Sequence, residues 1–323
     1  MSGPDGAIRV AGALTDRTAA LHDGNVCVEG RKVTFHPMRW MEAFTRLLAG
    51  DGVDAAEMSF TMAARAASLG DPELVVVPAF PLRAFRHSGV LVRADDPATS
   101  AAELNGRSIG VVSWQMTAGM WMRGILAEHD GLDVDSVDWV VGSIDGLAHR
   151  LSDEIPDGVR ARRAPWSDLE QAVADGHLDA VITPLTPTTV LTGELALRPL
   201  WPDVGAVERA YHAATGFFPV MHAVALRAED VRRDPSLPTA VYGAHLLSKR
   251  RALESLQHVG HMPTAMPWLT ADVMDAAARF GADWWRYGLE ANRAELETGL
   301  RYAHEQRITD RLLTPDEVFA PLG

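Results

Sequence analysis

Short runs of β-forming residues alternate along the chain with stretches whose apolar residues recur at helical spacing. The run from Leu74 to Val77 reads Leu-Val-Val-Val, and an interior strand of a parallel sheet is apolar on both faces in this way. Between Met38 and Ala49 the apolar residues fall three or four positions apart, which predicts a helix. Alternating strands and helices are typical of α/β proteins with mainly parallel sheets.

The same reasoning locates the other elements. Strands are predicted at Ile8 to Ala11, Lys32 to Phe35, Val53 to Met58, Glu73 to Ala79, Val90 to Val92, within Leu104 to Val112, at Trp139 to Val141 and at Ala180 to Ile182. Helices are predicted at Met38 to Ala49, Thr117 to His129, Ser167 to Ala174, Ala240 to Gln257, Ala271 to Tyr287 and Glu290 to Glu305.

The length of 323 residues exceeds what one hydrophobic core usually supports, so two lobes are expected. The polar segment from Arg93 to Ser100 and the segment from Thr183 to Thr192, rich in proline and threonine, are interpreted as crossings between them. The prediction assigns residues 1–96 and 195–323 to lobe 1 and residues 97–194 to lobe 2. It also places a ligand cleft between the lobes, because ligands of open α/β sheets bind beyond the carboxyl ends of strands.

Charge and composition limit the partners. The 43 acidic and 30 basic residues give a net charge of −13, which argues against nucleic acid or an anionic membrane as a partner. The single cysteine, Cys27, cannot form an internal disulfide. No apolar stretch approaches the roughly 18 residues of a membrane helix and no secretion signal is visible, so a cytoplasmic protein is expected. The oligomeric state, a homo-oligomer included, stays open.

Groups suited to a small anion follow several predicted strands. They are Asp16 and Arg17 after the first strand, Glu57 and Ser59 after the third, and Arg83, Arg86 and His87 after the fourth. Arginine presents a planar fork of donors that matches a carboxylate, so Arg86 with Arg17 or Arg83 is expected to form a clamp. The alternative for each arginine is a surface ion pair with a nearby acid.

A further set of candidates begins the helix of the second lobe. Trp114 and Gln115 precede it, and Thr117 could cap its first turn, where free N–H groups and the helix dipole suit a carboxylate. Arg123 lies almost two turns further on, so packing within the lobe is the alternative to substrate binding.

Seven segments resemble the 4,5-dihydroxyphthalate decarboxylase family in the family's order. They are Asp16-Arg17-Thr18, Glu57-Met58-Ser59, Phe80-Pro81 through Ser88, Gln115 to Ala118, Trp121 with Arg123 to Leu126, Thr215 to His222, and Tyr287-Gly288-Leu289 with Asn292. The resemblance implies a type 2 periplasmic-binding-protein-like fold and the loss of one carboxylate from an aromatic diacid. The chain departs from the family pattern at Thr15, Arg286 and Arg307, where tyrosine, proline and glycine are expected.

The implied reaction needs a proton donor for the ring carbon that bears the carboxylate, and it needs no metal or organic cofactor, because a para hydroxyl stabilises the protonated ring. His87 and His222 are the candidate donors, since histidine titrates nearest neutral pH. Glu57 and Asp16 could accept a phenolic proton or orient an arginine. His258 and His261 have a metal-ligand spacing, but the intervening Gly260 argues against a rigid pair.

Two other functions remain open at this level. A solute-binding protein that delivers a small anion is the non-catalytic task of this fold. A lyase of a biosynthetic pathway is the other alternative, because fold alone does not determine chemistry. The interpretation adopted is a cofactor-independent decarboxylase of a small hydroxylated aromatic carboxylate.

Overall fold

The computed structural model describes residues 7–28, 30–71, 73–144, 154–184, 188–258, 260 and 262–322. His261 and residues 185–187 of the second predicted crossing lie outside this range. The chain forms two compact units. Unit 1 comprises residues 1–83, 220–297 and 313–323, and unit 2 comprises residues 84–219 and 298–312.

Twelve strands and twelve α-helices are assigned in the described part of the chain. The strands are β1 (Ile8–Gly12), β2 (Cys27–Val28), β3 (Arg31–Pro37), β4 (Ala55–Ser59), β5 (Leu74–Val77), β6 (Val90–Arg93), β7 (Ser108–Val111), β8 (Asp138–Val141), β9 (Ala161–Arg163), β10 (Ala180–Ile182), β11 (Leu197–Pro199) and β12 (His222–Arg227). The helices are α1 (Asp16–His22), α2 (Trp40–Ala49), α3 (Phe60–Ser68), α4 (Thr117–His129), α5 (Leu169–Ala174), α6 (Thr188–Leu191), α7 (Val204–Thr215), α8 (Ala228–Arg233), α9 (Leu237–Gln257), α10 (Leu269–Phe280), α11 (Arg293–Glu305) and α12 (Pro315–Val318).

Unit 1 contains a six-stranded sheet in the order β2-β3-β1-β4-β12-β5. Its centre, β4, is buried at all five positions, and helix α1 packs against α9. β1 runs parallel to β3 and β4, so the carboxyl ends of β1 and β4 lie at the same edge of the sheet. α1 begins just after β1 and α3 just after β4, which brings both strand-to-helix junctions to that edge.

Unit 2 contains a second six-stranded sheet in the order β11-β6-β10-β7-β8-β9. Its core includes Leu91, Val140, Leu169 and Val181, which come from three strands and helix α5. β7 runs parallel to β8 and β10. Helix α4 follows β7 and is buried along most of its length.

The structure divides the chain at positions other than those predicted. The predicted first lobe extended to residue 96 and resumed at residue 195, but β6 and β11 pair with each other and β6 pairs with β10. A strand belongs to the sheet that satisfies its backbone N–H and C=O groups. The units therefore change after Arg83 and after Pro219, and the polar segment from Arg93 to Ser100 lies within unit 2.

Strand β12 was not predicted and one helix was predicted too long. The chain finishes in helices as expected, but β12 comes before them and inserts into the first sheet antiparallel to both β4 and β5, so the sheets are mixed and not wholly parallel. The helix predicted to extend to Tyr287 ends at Phe280, because Gly281 takes a φ of 82°, outside the helical region. In the part of the chain that the structure describes, no helix is long and apolar enough to cross a membrane.

Candidate active site

A carboxylate and an imidazole meet on one face of the unit 1 sheet. In the antiparallel register of β4 and β12, His222 lies opposite Ser59 and Val224 lies opposite Glu57. His222 and Glu57 are therefore diagonal neighbours on the same face, within reach of each other's side chains. His222 Nδ1 lies 2.6 Å from Glu57 Oε1. This contact joins two of the three catalytic residues that the sequence suggested.

The second oxygen of Glu57 is also bound. Ala13 N–H donates to Oε2 at 2.9 Å, just after the end of β1. Gly12 allows this close approach, because a Cβ there would lie 3.0 Å from Oε2 and 3.1 Å from Glu57 Cβ. Burial favours a higher pKa for Glu57, but the hydrogen bond and charge of His222 and the Ala13 N–H outweigh it, and the net effect lowers the pKa. Glu57 is thus ionised at neutral pH.

An ionised Glu57 fixes the orientation and tautomer of His222. A carboxylate can only accept, so Nδ1 carries the hydrogen and donates it to Oε1. The Trp40 ring packs against the imidazole at a centroid distance of 5.1 Å. Among the described residues, none forms a hydrogen bond with His222 Nε2. Nε2 is therefore the nitrogen that can exchange a proton with a bound molecule.

Arg17 is held in place by three contacts at the start of α1. Its guanidinium stacks on the Trp285 ring, with Cζ 3.9 Å from the centroid. Nε donates to the Pro81 carbonyl at 3.2 Å and Nη1 to Asp16 Oδ1 at 2.5 Å. Within the described chain, Nη2 has no hydrogen-bond partner. Arg17 is thus a positioned cation with one donor group left for an anion.

The other two unit 1 candidates are engaged within the protein. Arg83 is 3% exposed, and its Nη1 lies 3.2 Å from both oxygens of Glu295. Nη2 donates to the Arg286 carbonyl at 2.8 Å and to Asn292 Oδ1. Burial lowers the pKa of Arg83. Ser59 caps α3 by accepting from Met62 N–H at 3.4 Å.

Glu295 also binds the segment in which the chain returns to unit 1. Its Oε1 accepts from Val220 N–H at 2.8 Å, and Arg83 and Val220 form an isolated antiparallel bridge. The last residue before unit 2 and the first residue after it are therefore bound to one carboxylate. Arg83 therefore has a structural role, and most of its hydrogen-bond donors are engaged within the protein.

His87 lies in unit 2 and has a very different environment from His222. It is fully buried, and neither ring nitrogen has a hydrogen-bond partner among the described residues. Glu208 Oε1 lies 3.9 Å from its Nδ1, which is too far for a hydrogen bond. Burial, with a smaller effect of the charge on His129, lowers the pKa of His87 to about 4. His87 is therefore neutral at physiological pH.

Arg86, also in unit 2, is half-buried and donates from Nη1 to the Pro184 carbonyl. Burial lowers its pKa, although the charge of Glu208 opposes that effect. Burial also raises the pKa of Glu208 to about 7. The structure thus places Arg86 in unit 2, and Arg17 and Arg83 in unit 1.

Trp114 and Arg123 form one buried cluster in unit 2. Arg123 stacks on the Trp114 ring at 4.0 Å, donates from Nη2 to the Trp114 carbonyl at 2.6 Å and from Nε to Gln306 Oε1 at 2.7 Å. It is 1% exposed, and burial lowers its pKa to about 9. Thr117 is buried in the first turn of α4, and Gln115 is half-buried and makes no hydrogen bond to a described residue.

No group of three or more His, Cys, Asp or Glu side chains that could hold a metal ion occurs in the described ranges. His258, the described member of the His258/His261 pair, binds the Glu254 carbonyl through Nδ1 at 2.6 Å. A pocket of about 600 Å³ in unit 2 is lined by residues such as Trp166, Asp168 and Glu194. None of the predicted site residues lines it.

Sequence reasoning missed several groups that shape the unit 1 site. Trp285 supports Arg17, Trp40 packs on His222, and Tyr287 is buried where Arg17 and Glu57 both act on it. Trp285 lies in the segment predicted as helix, and Tyr287 was named only as part of a family segment and not as a site residue. The apolar run from Val220 to Leu226 was the signal for the missing strand.

The sequence of the chain is similar to two known enzymes. It is 31% identical to 4,5-dihydroxyphthalate decarboxylase from Comamonas testosteroni over 309 residues, which cover 95% of this chain and 94% of the relative. It is 34% identical to the enzyme of that name from Pseudomonas putida over 201 residues, 61% of this chain and 78% of the relative. A search against protein-family models found no match.

Solved structures with similar folds are binding proteins and an enzyme. The periplasmic aliphatic sulphonate binding protein SsuA from Escherichia coli aligns with a TM-score of 0.57 at 13% identity, covering 99% of this chain and 94% of SsuA. The desulfurization enzyme DszB aligns with a TM-score of 0.54 at 19% identity, covering 98% of this chain and 96% of DszB. These likenesses concern the fold alone, and they confirm the type 2 periplasmic-binding-protein-like α/β fold. By its full-length sequence similarity the chain belongs to the 4,5-dihydroxyphthalate decarboxylase family and is an enzyme of the carboxy-lyase class.

Proposed function

We propose that this enzyme decarboxylates a hydroxylated aromatic carboxylic acid such as 4,5-dihydroxyphthalate, without a cofactor, by protonating the ring carbon that loses carbon dioxide. His222 is the proton donor and Glu57 holds it in place. The observation that carries this proposal is the 2.6 Å contact between His222 Nδ1 and Glu57 Oε1, which leaves Nε2 without a partner among the described residues.

The reaction needs no external oxidant or reductant, because the electrons come from the substrate itself. The protonated imidazole transfers its Nε2 proton to the carboxylated ring carbon, and the para hydroxyl stabilises the resulting cation. The bond to the carboxylate then breaks, its electron pair restores the aromatic ring, and carbon dioxide leaves. His222 is left neutral and takes a new proton from solvent. The carboxylate of Glu57 favours the charged imidazole at the start of the cycle.

The environments of the two histidines support this choice of donor. A general acid should have a pKa near the working pH, whereas burial lowers the pKa of His87 to about 4. Within the described ranges, His87 also has no carboxylate at hydrogen-bonding distance. His222 has such a carboxylate, and its imidazole retains some exposure. We therefore assign His87 to the packing of unit 2.

Arg17 is the proposed binder of the substrate's second carboxylate. Its stacking on Trp285 and its bonds to Pro81 and Asp16 fix the guanidinium before a ligand arrives, and Nη2 remains as a donor. A fixed fork loses little conformational freedom on binding, which favours affinity. The contribution of Arg86 remains a proposal from the sequence.

Substitution of the donor tests the mechanism. His222→Gln keeps much of the shape and removes the acid, so turnover of 4,5-dihydroxyphthalate should fall by about 10²- to 10⁴-fold. Substrate affinity should change far less. In deuterated water the unmodified enzyme should place one deuterium at the carbon that lost its carboxylate, as seen by proton NMR of the product.

His36→Gln is the matched control, because His36 is an exposed histidine of the same unit. It should keep normal turnover. Near-normal turnover in His222→Gln would contradict the assignment of the donor. Tight binding of hydroxylated aromatic acids with no release of carbon dioxide from any of them would favour the solute-binding alternative, and carbon dioxide loss from only a different class of acid would favour a biosynthetic lyase.

A further inference from the structure

The Tyr287 ring is locked into unit 1 by the backbone around it. Gly288 N–H donates to the Pro78 carbonyl at 2.9 Å, and the Trp285 indole N–H donates to the Phe80 carbonyl at 2.9 Å. The Phe80 ring meets the Tyr287 ring edge to face at a centroid distance of 6.3 Å. Tyr287 is thus fixed between two anchored positions.

The hydroxyl of this locked ring has no partner. Tyr287 is 6% exposed, and among the described residues none forms a hydrogen bond with its hydroxyl oxygen, which is itself covered from solvent. Buried polar groups in proteins are nearly always hydrogen-bonded, because an unmade bond leaves the cost of desolvation unpaid. A buried hydroxyl in a rigid frame without a partner among the described residues leaves one donor available to a bound molecule.

The surroundings of Tyr287 are those of the candidate active site. Besides burial, the charges that act on its hydroxyl are those of Arg17, Arg83, Glu57 and Asp16. Trp285, two residues earlier, carries the Arg17 guanidinium on its ring. Burial, the largest effect, raises the pKa of Tyr287 far above its usual value. The hydroxyl therefore stays protonated and serves as a donor, not as a base.

We propose that the Tyr287 hydroxyl donates a hydrogen bond to the carboxylate that stays on the aromatic ring, and so completes the anion site begun by Arg17. This inference rests on the proposed function and adds a substrate-binding residue to it. A carboxylate has lone pairs for several donors at once, so Arg17 Nη2 and the Tyr287 hydroxyl can bind it together. The bond is made equally before and after carbon dioxide leaves, and its loss should therefore raise KM without lowering kcat.

Tyr287→Phe tests the proposal by binding, without any need for turnover. Calorimetry would compare 3,4-dihydroxybenzoate, which is the expected product and keeps the carboxylate, with catechol, which lacks it. Loss of one hydrogen bond to a charged group should weaken 3,4-dihydroxybenzoate binding about 10- to 100-fold. Catechol binding should not change. The melting temperature of ligand-free Tyr287→Phe should equal or exceed that of the unmodified protein, because the variant loses only an unpaired hydroxyl.

Tyr242→Phe is the matched control. Tyr242 lies on α9, and its hydroxyl is 3.2 Å from where a Cβ of Gly288, the residue after Tyr287, would be. This variant should bind both compounds normally. Equal affinity of Tyr287→Phe and the unmodified protein for 3,4-dihydroxybenzoate would overturn the inference. So would a lower melting temperature with unchanged affinity, which would show a structural hydrogen bond. An enzyme that binds 3,4-dihydroxybenzoate through Tyr287 but decarboxylates no hydroxylated phthalate would instead contradict the proposed function alone.

Discussion

Replacing Glu57 with glutamine should disable the proposed proton donor without removing it. Glu57 accepts two hydrogen bonds, from His222 Nδ1 at 2.6 Å and from Ala13 N–H at 2.9 Å. Glutamine has one acceptor oxygen, so one of these donors must lose its partner. The imidazolium also loses the adjacent negative charge that favours it.

Both effects have an expected magnitude. His222 would lose the carboxylate that orients its ring and stabilises its positive charge, so kcat/KM should fall toward the loss of about 10²- to 10⁴-fold expected for removal of a general acid. One unpaired buried donor should lower the free energy of unfolding at pH 7 by about 1–3 kcal/mol.

Acid should reduce the difference in the free energy of unfolding between the unmodified protein and Glu57→Gln. The pKa of Glu57 lies below its usual value of 4.5 in the folded protein, so its stabilisation is present above that usual value. It is lost as the pH falls through the lowered folded pKa. Urea unfolding of the unmodified protein and of Glu57→Gln should therefore differ at pH 7 and converge under acid conditions.

The assay is the rate of carbon dioxide release between pH 5 and pH 9. Glu42→Gln is a suitable control, because Glu42 forms an exposed ion pair with Arg46 on α2, and such pairs contribute little. It should leave both rate and stability nearly unchanged. Near-normal turnover in Glu57→Gln would refute the claim that Glu57 holds His222 in place for proton transfer.

Arg17→Lys keeps the charge but loses the flat stacking on Trp285 and the fork of donors, so affinity for 3,4-dihydroxybenzoate should weaken about tenfold by calorimetry; unchanged affinity would remove Arg17 from the site. Arg83→Met leaves the Glu295 carboxylate buried without its cation, and urea unfolding should show a loss of about 3–5 kcal/mol, whereas a loss under 1 kcal/mol would contradict the structural role. Turnover should survive dialysis against a chelator, because the substrate hydroxyl stabilises the protonated ring; activity that returned only with divalent metal would contradict a cofactor-free reaction.

The sequence was most informative where a local pattern determines structure. The Leu-Val-Val-Val run is strand β5, and the helix predicted from Met38 to Ala49 is α2, which begins at Trp40. β-branched runs and helical spacing depend on neighbours in sequence, so one chain is enough to detect them. Ser59 ends β4 and Arg17 lies in the first turn of the helix after β1, as expected. Glu57 was expected after the strand, but it is the middle residue of β4.

Contacts between residues far apart in the sequence could not be predicted from local patterns. The contact of Glu57 with His222 depends on β12 entering the sheet antiparallel, in a register set by residues 165 positions apart. The burial of Arg83 against Glu295 depends on a contact across 212 positions. Residue type alone does not distinguish a substrate-binding arginine from one that neutralises an internal acid, since both need the same fork of donors.

Gly12 offers a practical way to sort related sequences. A Cβ at this position would lie 3.0 Å from Glu57 Oε2, so a side chain there requires the carboxylate to shift by a few tenths of an ångström. A relative with a larger residue there is expected to hold Glu57 less closely against the Ala13 N–H, even if Glu57 and His222 both remain. Three aligned positions, equivalent to Gly12, Glu57 and His222, thus form a compact signature for separating relatives that keep this proton-transfer apparatus from those that share only the fold.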